Sequence, residues 1–468
     1  MTGNTQRQIS FGEVLFVLLF LIVSLMATIL FFGGDPHIPI LVTAAIASIV
    51  AIRAGYKWKD IEDGIIDGIK MSMQAILILM IVGMLIGVWI LSGVVPTMIY
   101  YGLKLLSPGI FLIATCLICC VVSLATGSSW TTAGTIGVAL IGVGMGLGIP
   151  LPMVAGAIIS GAYFGDKMSP LSDTTNLAPA AAGATLFDHV KHMIYTTTPS
   201  LTIALILYGI LGARYAGKEL DVAGINEMLE GLSAQFAINP LLFIPPIVVI
   251  LMVAFKVPAI PGLIGGVVLG GVFAAIFQGA GLSAIIEASH YGFASETGLE
   301  AIDELLSGGG LDSMMWTVSL IIIAMSFGGV LERTGMLNAL LMKVLKVVNS
   351  TGSLVLATVL TCFFINLTSG DQYMSLVVPG RMFKDAYAER GLHPKNLSRV
   401  LEDAGTLSSP LIPWNTCGAF MTTALGVHPF AYLPFAFLNL INPIVSVIYG
   451  YTGITMEKLP EAEAEKTA

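Results

Sequence analysis

The sequence contains little charge. Only 11% of its 468 residues are Asp, Glu, Lys or Arg, whereas 56% are hydrophobic and the mean hydropathy is +0.90. This composition excludes an ordinary water-soluble domain and predicts a chain that resides in a lipid bilayer. Because Lys and Arg are scattered between the apolar runs, no surface for nucleic acid is expected.

The sequence also lacks the patterns of disulfide-linked and catalytic proteins. Its five cysteines all lie in apolar segments, where the pair Cys116 and Cys119 is typical of helix packing. It has no G-x-x-x-x-G-K-[ST] loop and no H-E-x-x-H motif, and its six histidines show no zinc-ligand spacing. An ATP-driven pump and an intramembrane metalloprotease are therefore poorly supported, and we expect neither an enzyme nor a bound cofactor.

Apolar runs long enough to cross a membrane predict an all-α polytopic membrane protein. The first run, residues 14–32, lacks a basic segment and a cleavage site, which favours a retained span over a signal peptide. Fifty-two glycines and 22 prolines are spread through such runs. Helix breakers inside spans survive where protein or water satisfies the freed backbone, so discontinuous helices are expected near the membrane midplane.

The two halves of the chain match each other in order and at a nearly constant offset. GVWILSG (87–93) corresponds to GVLERTG (329–335), TGSSW (126–130) to TSGDQ (368–372), and GDKMSPL (165–171) to GTLSSPL (405–411). We predict a first repeat over residues 1–217, an extracellular linker over 218–239, a second repeat over 240–453 and an acidic cytoplasmic tail over 454–468.

Each repeat is predicted to contain about five transmembrane helices and one re-entrant hairpin. An odd number of crossings inverts the second repeat relative to the first. With cytoplasmic termini, this topology leaves only Lys104, Arg214 and Lys218 outside, in agreement with the positive-inside rule. Inverted repeats with broken helices are typical of secondary transporters.

The most polar stretch in apolar surroundings is GAYFGDKMSPLSDTTNLAP, residues 161–179. Pro170 removes a helical hydrogen bond, so backbone carbonyls become available beside several side-chain oxygens. A dehydrated sodium ion requires such a set of oxygen ligands, and a carboxylate among them could also accept a proton. The candidate ligands in this stretch are Asp166, Ser169, Ser172, Asp173, Thr174, Thr175 and Asn176.

Asp173 is the first candidate for a carboxylate that binds either Na⁺ or H⁺, which is sufficient for obligate exchange. The alternative is that Ser172 to Thr175 only cap the next helix, with Asp173 exposed. The neighbouring Asp166 and Lys167 could form an ion pair with each other or take part in function, and the sequence favours neither.

Further candidates lie in the hairpin tips and in the second repeat. Asp371 follows a long apolar run and is predicted to be buried, which makes it a functional candidate. Glu402 and Asp403 are predicted to pair with Arg399 near the cytoplasmic surface. The sodium ion is predicted at Asp173, Thr174, Asn176 and Asp371. The remaining candidate oxygen donors are Thr126, Ser128, Ser129, Thr368, Ser369, Ser409, Asn415 and Thr416.

The motif GDKMSPLSDTTNLA and the element TGSSWTT (126–132) resemble the NhaC family of sodium/proton antiporters. The resemblance implies Na⁺/H⁺ exchange by a multi-pass protein of the cytoplasmic membrane. It also implies likeness to the wider ion transporter superfamily, in which paired re-entrant hairpins and homodimers are known.

Two alternatives stay open. The same family includes exchangers of malate with protons for lactate with sodium, and Lys167, Arg381 and Lys384 could serve a carboxylate substrate. The deep polar residues are acids and neutral oxygens, which favours plain cation exchange. A channel or a sodium sensor is the second alternative. The inverted broken helices argue against it.

Overall fold

The protein is almost entirely helical. The computed structural model describes residues 7–216, 222–296, 303, 306–337, 339 and 348–459, and within these ranges it contains helices, turns and two isolated β-bridges but no β-strand. The predicted all-α class is confirmed. Residues 460–468, which make up most of the predicted acidic tail, lie outside the described residues.

The α-helices of the first half follow one another with short connections. Their bounds are Phe11–Met26 (α1), His37–Arg53 (α2), Trp58–Leu91 (α3), Val94–Leu105 (α4), Pro108–Thr126 (α5), Ser129–Thr132 (α6), Val138–Gly146 (α7), Leu151–Met168 (α8), Asp173–Ala182 (α9) and Leu186–Ala216 (α10). A π-helical turn, Ala133–Gly137, joins α6 to α7.

A helix Val222–Gln235 (α11) lies in the segment predicted as a linker. The later helices are Ile244–Ala254 (α12), Ala259–Phe277 (α13), Leu282–Tyr291 (α14), Met315–Arg333 (α15), Thr351–Ser369 (α16), Met374–Ala388 (α17), Pro394–Leu401 (α18), Thr416–Leu425 (α19), Pro429–Tyr432 (α20) and Phe437–Thr452 (α21). A further π-helical turn, Glu402–Thr406, continues α18.

Seven helices of the described chain are long and apolar enough to cross a membrane, and nine spans result if two bent helix pairs count as one span each. Their surfaces fit this placement. On α1, Phe16 is 56% exposed and Val23 is 63% exposed, and on α13 Val268 is 62% exposed. Apolar side chains this exposed would be unfavourable in water but are stable against lipid. The chain is thus a polytopic membrane protein, as predicted.

Corresponding helices in the two halves have matching lengths and ends. Both α5 and α16 are 19 residues long, and they end at Gly127 and Gly370 with φ angles of 67° and 68°. Both α9 and α19 are 10 residues long and end at glycines in the same left-handed conformation. This correspondence supports a repeat. The inversion of the second repeat across the membrane stays a prediction, and so do the domain boundaries.

Next to the polar stretch 161–179, the closest helix packing occurs between α5 and α8. A Cβ atom on Gly161 would lie 2.2 Å from the Cys116 carbonyl oxygen, and one on Gly165 would lie 2.2 Å from the Leu124 nitrogen. Only glycine therefore permits this approach. The Ser123 hydroxyl donates to the Ala162 carbonyl across the same contact. As a result, the polar end of α8 lies against the break between α5 and α6.

Candidate functional site

Asp166 lies in the last turn of α8 and is buried, with 7% of its surface exposed. Its carboxylate accepts a hydrogen bond of 2.5 Å from the Ser129 hydroxyl at the start of α6 and one of 2.7 Å from the Ser172 hydroxyl before α9. Two chain breaks therefore converge on one carboxylate. Hydroxyl donors stabilise a buried negative charge while leaving carboxylate lone pairs for a further ligand.

The break between α8 and α9 is stabilised by its own polar side chains. Thr175 donates hydrogen bonds of 2.9 Å to the carbonyls of Asp166 and Lys167, and Asn176 donates to the carbonyls of Pro170 and Ser172 at 2.9 and 2.7 Å. These bonds satisfy carbonyls that Pro170 frees from the helix. Thr175 and the amide nitrogen of Asn176 are thus engaged with backbone.

A cavity of about 430 Å³ lies next to Asp166. Its polar walls come from the α5–α6 break, the α8–α9 break and the α16–α17 break, and its opposite wall comes from α3 and the α12–α13 turn. The lining residues are Gln74, Ala75, Ile78, Thr126, Gly127, Ser128, Ser129, Trp130, Asp166, Pro170, Leu171, Asp173, Thr174, Val253, Lys256, Val257, Pro258, Ala259, Gln372, Tyr373 and Thr416.

Seven of the candidates from the sequence line this cavity. They are Thr126, Ser128, Ser129, Asp166, Asp173, Thr174 and Thr416. Asp173 is exposed at the first turn of α9, and the Tyr373 hydroxyl lies next to its carboxylate. The cavity therefore has one carboxylate in its depth, Asp166, and one toward solvent, Asp173.

The other candidates do not line the cavity. Ser172 still reaches it indirectly through its bond to Asp166. Thr368, Ser369 and Ser409 donate to carbonyls of their own helical turns, and Asn415 bonds Asn366 and the Cys417 amide. The set away from the cavity wall is Ser169, Thr175, Asn176, Thr368, Ser369, Asp371, Ser409 and Asn415.

The break at the end of α16 turns Gln372, not Asp371, into the cavity. Asp371 is buried, with 2% of its surface exposed, and its carboxylate accepts a 2.9 Å hydrogen bond from the Met374 amide at the start of α17. Gln372 and Tyr373 line the cavity. Neither residue was predicted from the sequence. Their position directly after Asp371, in the same break, was the feature that could have identified them.

Lys167 faces away from Asp166 into a second polar cluster. It forms an ion pair with Asp403, and both side chains are fully buried. Asp403 also accepts hydrogen bonds from Thr196 at 3.0 Å and from Asn442 at 2.7 Å, while Lys167 donates to Thr197 at 2.7 Å. Of the two alternatives that the sequence left open, an ion pair between Asp166 and Lys167 does not form, because consecutive residues on a helix point about 100° apart.

The predicted pairing with Arg399 is confirmed for Asp403 but not for Glu402, and it lies in the protein interior. All three side chains are fully buried, and the Arg399 Nε atom lies 3.9 Å from Asp403. Glu402 lies on the π-helical turn beside Thr174 and Thr406, and neither of its carboxyl oxygens forms a hydrogen bond of ordinary geometry within the described residues. Its burial follows from the tight packing of this turn against α16 and α18, which local sequence does not reveal.

The donor set of the cavity suits a hard monovalent cation. The described residues contain no group of three or more His, Cys, Asp and Glu side chains able to hold a metal ion. The cavity instead combines two carboxylates with neutral hydroxyl and amide groups, and Lys256 is the one cationic side chain on its described wall. Such oxygens bind an alkali cation without the strong charge that would trap a divalent ion.

Residues 161–454 match the model of the Na⁺/H⁺ antiporter family. This range includes both carboxylates of the cavity and most of the second half of the chain. The chain belongs to the Na⁺/H⁺ antiporter family. Within this family, a curated relative named Na⁺/H⁺ antiporter NhaC, from Alkalihalophilus pseudofirmus, is 43% identical over 91% of this chain and 92% of its own length.

Other family members of similar identity carry different names. A malate-2H⁺/Na⁺-lactate antiporter from Bacillus subtilis is 40% identical over 97% of both chains. An arginine/ornithine antiporter, ArcD of Halobacterium salinarum, is 40% identical over 99% of this chain and 97% of its own. Exchange of two solutes in opposite directions is common to these names, whereas the solutes differ.

Proposed function

We propose that the chain is a secondary transporter that exchanges Na⁺ for H⁺ across the cytoplasmic membrane by alternating access. The observation that carries this proposal is the buried Asp166 carboxylate, which two hydroxyls hold at the inner end of a cavity. Membership of the Na⁺/H⁺ antiporter family and the similarity to NhaC support the same choice of solutes. We assign no enzymatic activity and no bound cofactor.

Exchange follows from competition for one carboxylate. When Na⁺ binds, the negative Asp166 neutralises the cation, and the neighbouring hydroxyl oxygens replace part of its water shell. When Na⁺ leaves, an ionised carboxylate in this buried place is unfavourable, so a proton replaces the cation. The empty, ionised site is the least stable of the three states, which links the two ions in opposite directions.

Asp173 and the cavity oxygens complete the proposed path. The exposed Asp173 attracts a hydrated cation, and Thr126, Ser128, Thr174 and Thr416 offer further oxygens on the same cavity wall. Asn176 and Asp371 stay predicted ligands, and each would need a rearrangement of its break to reach the cavity. The predicted inner-membrane location, cytoplasmic termini and homodimer belong to this proposal as well.

Proteoliposomes test the exchange directly. Purified protein is reconstituted with a pH-sensitive dye inside, and an inward Na⁺ gradient is imposed in the absence of any organic acid. We expect Na⁺-dependent alkalinisation of the lumen that saturates with Na⁺ and is absent when choline replaces it. If correctly inserted protein causes no change in luminal pH under these conditions, Na⁺/H⁺ exchange is rejected.

Exchange of Na⁺ and lactate for H⁺ and malate is the second candidate. The cavity volume of about 430 Å³ favours it, since this space accommodates a small organic acid and greatly exceeds that of one ion. Lys256 on the cavity wall could pair with a carboxylate substrate. The same vesicles distinguish the two functions, because an organic-acid exchanger responds to Na⁺ only after malate and lactate are added on opposite sides.

A further inference from the structure

Gln372, like Tyr373, is a polar residue of the α16–α17 break that lines the cavity. Only 6% of its surface is exposed. The break is held in place from both sides, because the Thr416 amide donates a 2.8 Å hydrogen bond to the Gly370 carbonyl and the Ser375 hydroxyl donates a 2.6 Å bond to the Gln372 carbonyl. The backbone of the break, from which the Gln372 side chain extends, is therefore held in place by the fold.

The two ends of the Gln372 amide have different surroundings. Its Oε1 atom accepts a 2.9 Å hydrogen bond from the Cys417 thiol at the start of α19. Its Nε2 atom is buried and has no hydrogen-bond partner within the described residues. A buried amide nitrogen without a partner is destabilising by about 1–3 kcal/mol, so a role that requires this arrangement is indicated.

Cys417 is a partner that accepts either end of the amide. A thiol is a weak donor and also a weak acceptor, whereas a backbone amide or a lysine would fix one orientation. Rotation of the Gln372 amide by half a turn would direct Nε2 to the sulfur and Oε1 into the cavity. The Tyr163 hydroxyl, buried beside Cys417 and also without an ordinary hydrogen bond among the described residues, can then accept a hydrogen bond from the thiol.

We propose that Gln372 is a sodium ligand whose amide rotates with the state of the site. In the absence of Na⁺ its oxygen is held by Cys417, and when Na⁺ enters, the oxygen turns into the cavity and binds the cation together with Asp166. Rotation about the Cγ–Cδ bond of glutamine (χ3) is broad and roughly two-fold, so the amide can adopt both positions. This inference rests on the proposed Na⁺ exchange and adds a neutral, state-dependent ligand to it.

The role of Gln372 as a ligand differs from a role in packing. A packing role depends on side-chain shape alone, so methionine, which has the same length, would preserve it. A ligand role depends on the oxygen. Gln278, which does not line the cavity and whose amide bonds the Ser92 carbonyl and the Ala237 amide, offers a control position for the same substitution.

Equilibrium binding of ²²Na⁺ to purified protein tests the proposal. We expect Gln372→Met to raise the Kd for Na⁺ at least ten-fold and Gln278→Met to change it less than two-fold. Because the carboxylate is untouched, the number of protons released per Na⁺ bound should stay as in the wild type. Gln372→Glu, which keeps an oxygen at this place, should bind Na⁺ at alkaline pH at least as tightly as the wild type.

The partner thiol gives a second, independent readout. Cys417→Ser keeps a group that both donates to one end of the amide and accepts from the other, so its Kd should stay within two-fold of the wild type. A Kd for Gln372→Met within two-fold of a wild type that binds Na⁺ would overturn the role of Gln372 and leave the exchange function intact. Absence of ²²Na⁺ binding to the wild type would instead reject the proposed function itself, and this inference with it.

Discussion

Asp166 and Lys167 are neighbours in the sequence, yet they belong to two different polar regions. The Asp166 region faces a cavity and is built from single hydroxyls that leave room for a ligand. The Lys167 region is closed and contains its own counter-charge in Asp403. A buried charge that lacks a permanent partner is suited to binding an ion, whereas a buried charge with a permanent partner is suited to holding helices together.

The two regions are expected to respond differently to mutation. Substitutions around Asp166 should change transport and leave stability nearly unaltered. Substitutions around Lys167 should lower stability first, and transport only through the amount of folded protein. Each prediction below tests this division.

The largest effect on stability is expected from Lys167→Met. Removing one partner of a buried ion pair destabilises proteins by about 3–5 kcal/mol, and the lower end applies here because Arg399 still lies near Asp403. The measurement is equilibrium unfolding by SDS in mixed micelles. Lys59→Met is the control, since Lys59 and Asp63 form an exposed pair at 2.9 Å whose loss should lie within about 1 kcal/mol. Equal effects at the two lysines would contradict the division.

The largest effect on transport is expected from Asp166→Asn. Asparagine keeps the shape and can still accept a hydrogen bond, but it neither neutralises Na⁺ nor carries the exchanged proton. A contact to a charged group contributes about 1.5–3 kcal/mol to Na⁺ binding, and the proton carrier is lost as well, so Na⁺-driven proton flux should fall by more than about 100-fold, to the background of protein-free vesicles. The initial rate is measured in proteoliposomes with matched protein content. Wild-type flux in this variant would place the exchanging carboxylate elsewhere.

Asp173→Asn should cause a smaller loss than Asp166→Asn. Asp173 is exposed at the solvent side of the cavity, where water screens its charge, and we expect about a ten-fold rise in the KM for Na⁺. The ratio of the transport loss in Asp173→Asn to that in Asp166→Asn indicates which carboxylate lies deeper in the cavity. A greater loss at Asp173 would show that the exposed carboxylate carries the exchange, as the sequence alone suggested.

The smallest effects are expected at the hydroxyls that hold Asp166. Ser129→Ala and Ser172→Ala each remove one donor to the carboxylate, and we expect about a five-fold rise in the KM for Na⁺ from a net loss near 1 kcal/mol. Ser200→Ala is the control, because Ser200 donates only to the Thr196 carbonyl one turn before it. An unchanged KM in both alanine variants would remove these hydroxyls from the site.

The sequence predicted the breaks but not which side chains they turn inward. Pro170 and the glycines at 127 and 370 mark the ends of helices, because each has a local backbone requirement that the sequence reveals. The choice between Asp371 and Gln372 depends on the rotation of the break about its axis. That rotation is set by the Gly370 φ angle of 68° and by the bond to Thr416, which comes from a distant segment.

The closed region could not be predicted because its partners are far apart along the chain. Lys167 and Asp403 are separated by 236 residues, and Thr196 and Asn442 come from two further helices. The residues around Asp166 and Lys167 give no signal that distinguishes an ion pair between these two from separate pairs with residues far away in the sequence. The composition was sufficient to predict the fold class, and the motif around Pro170 was sufficient to predict the family, since both depend on local sequence pattern.

The central claim is that Na⁺ and H⁺ compete for the Asp166 carboxylate. Addition of Na⁺ to purified protein in weakly buffered detergent, followed with a pH indicator, tests it most directly. The account predicts that the wild type releases protons with the same Na⁺ dependence as ²²Na⁺ binding and that Asp166→Asn releases none. Proton release of wild-type size from Asp166→Asn would contradict it.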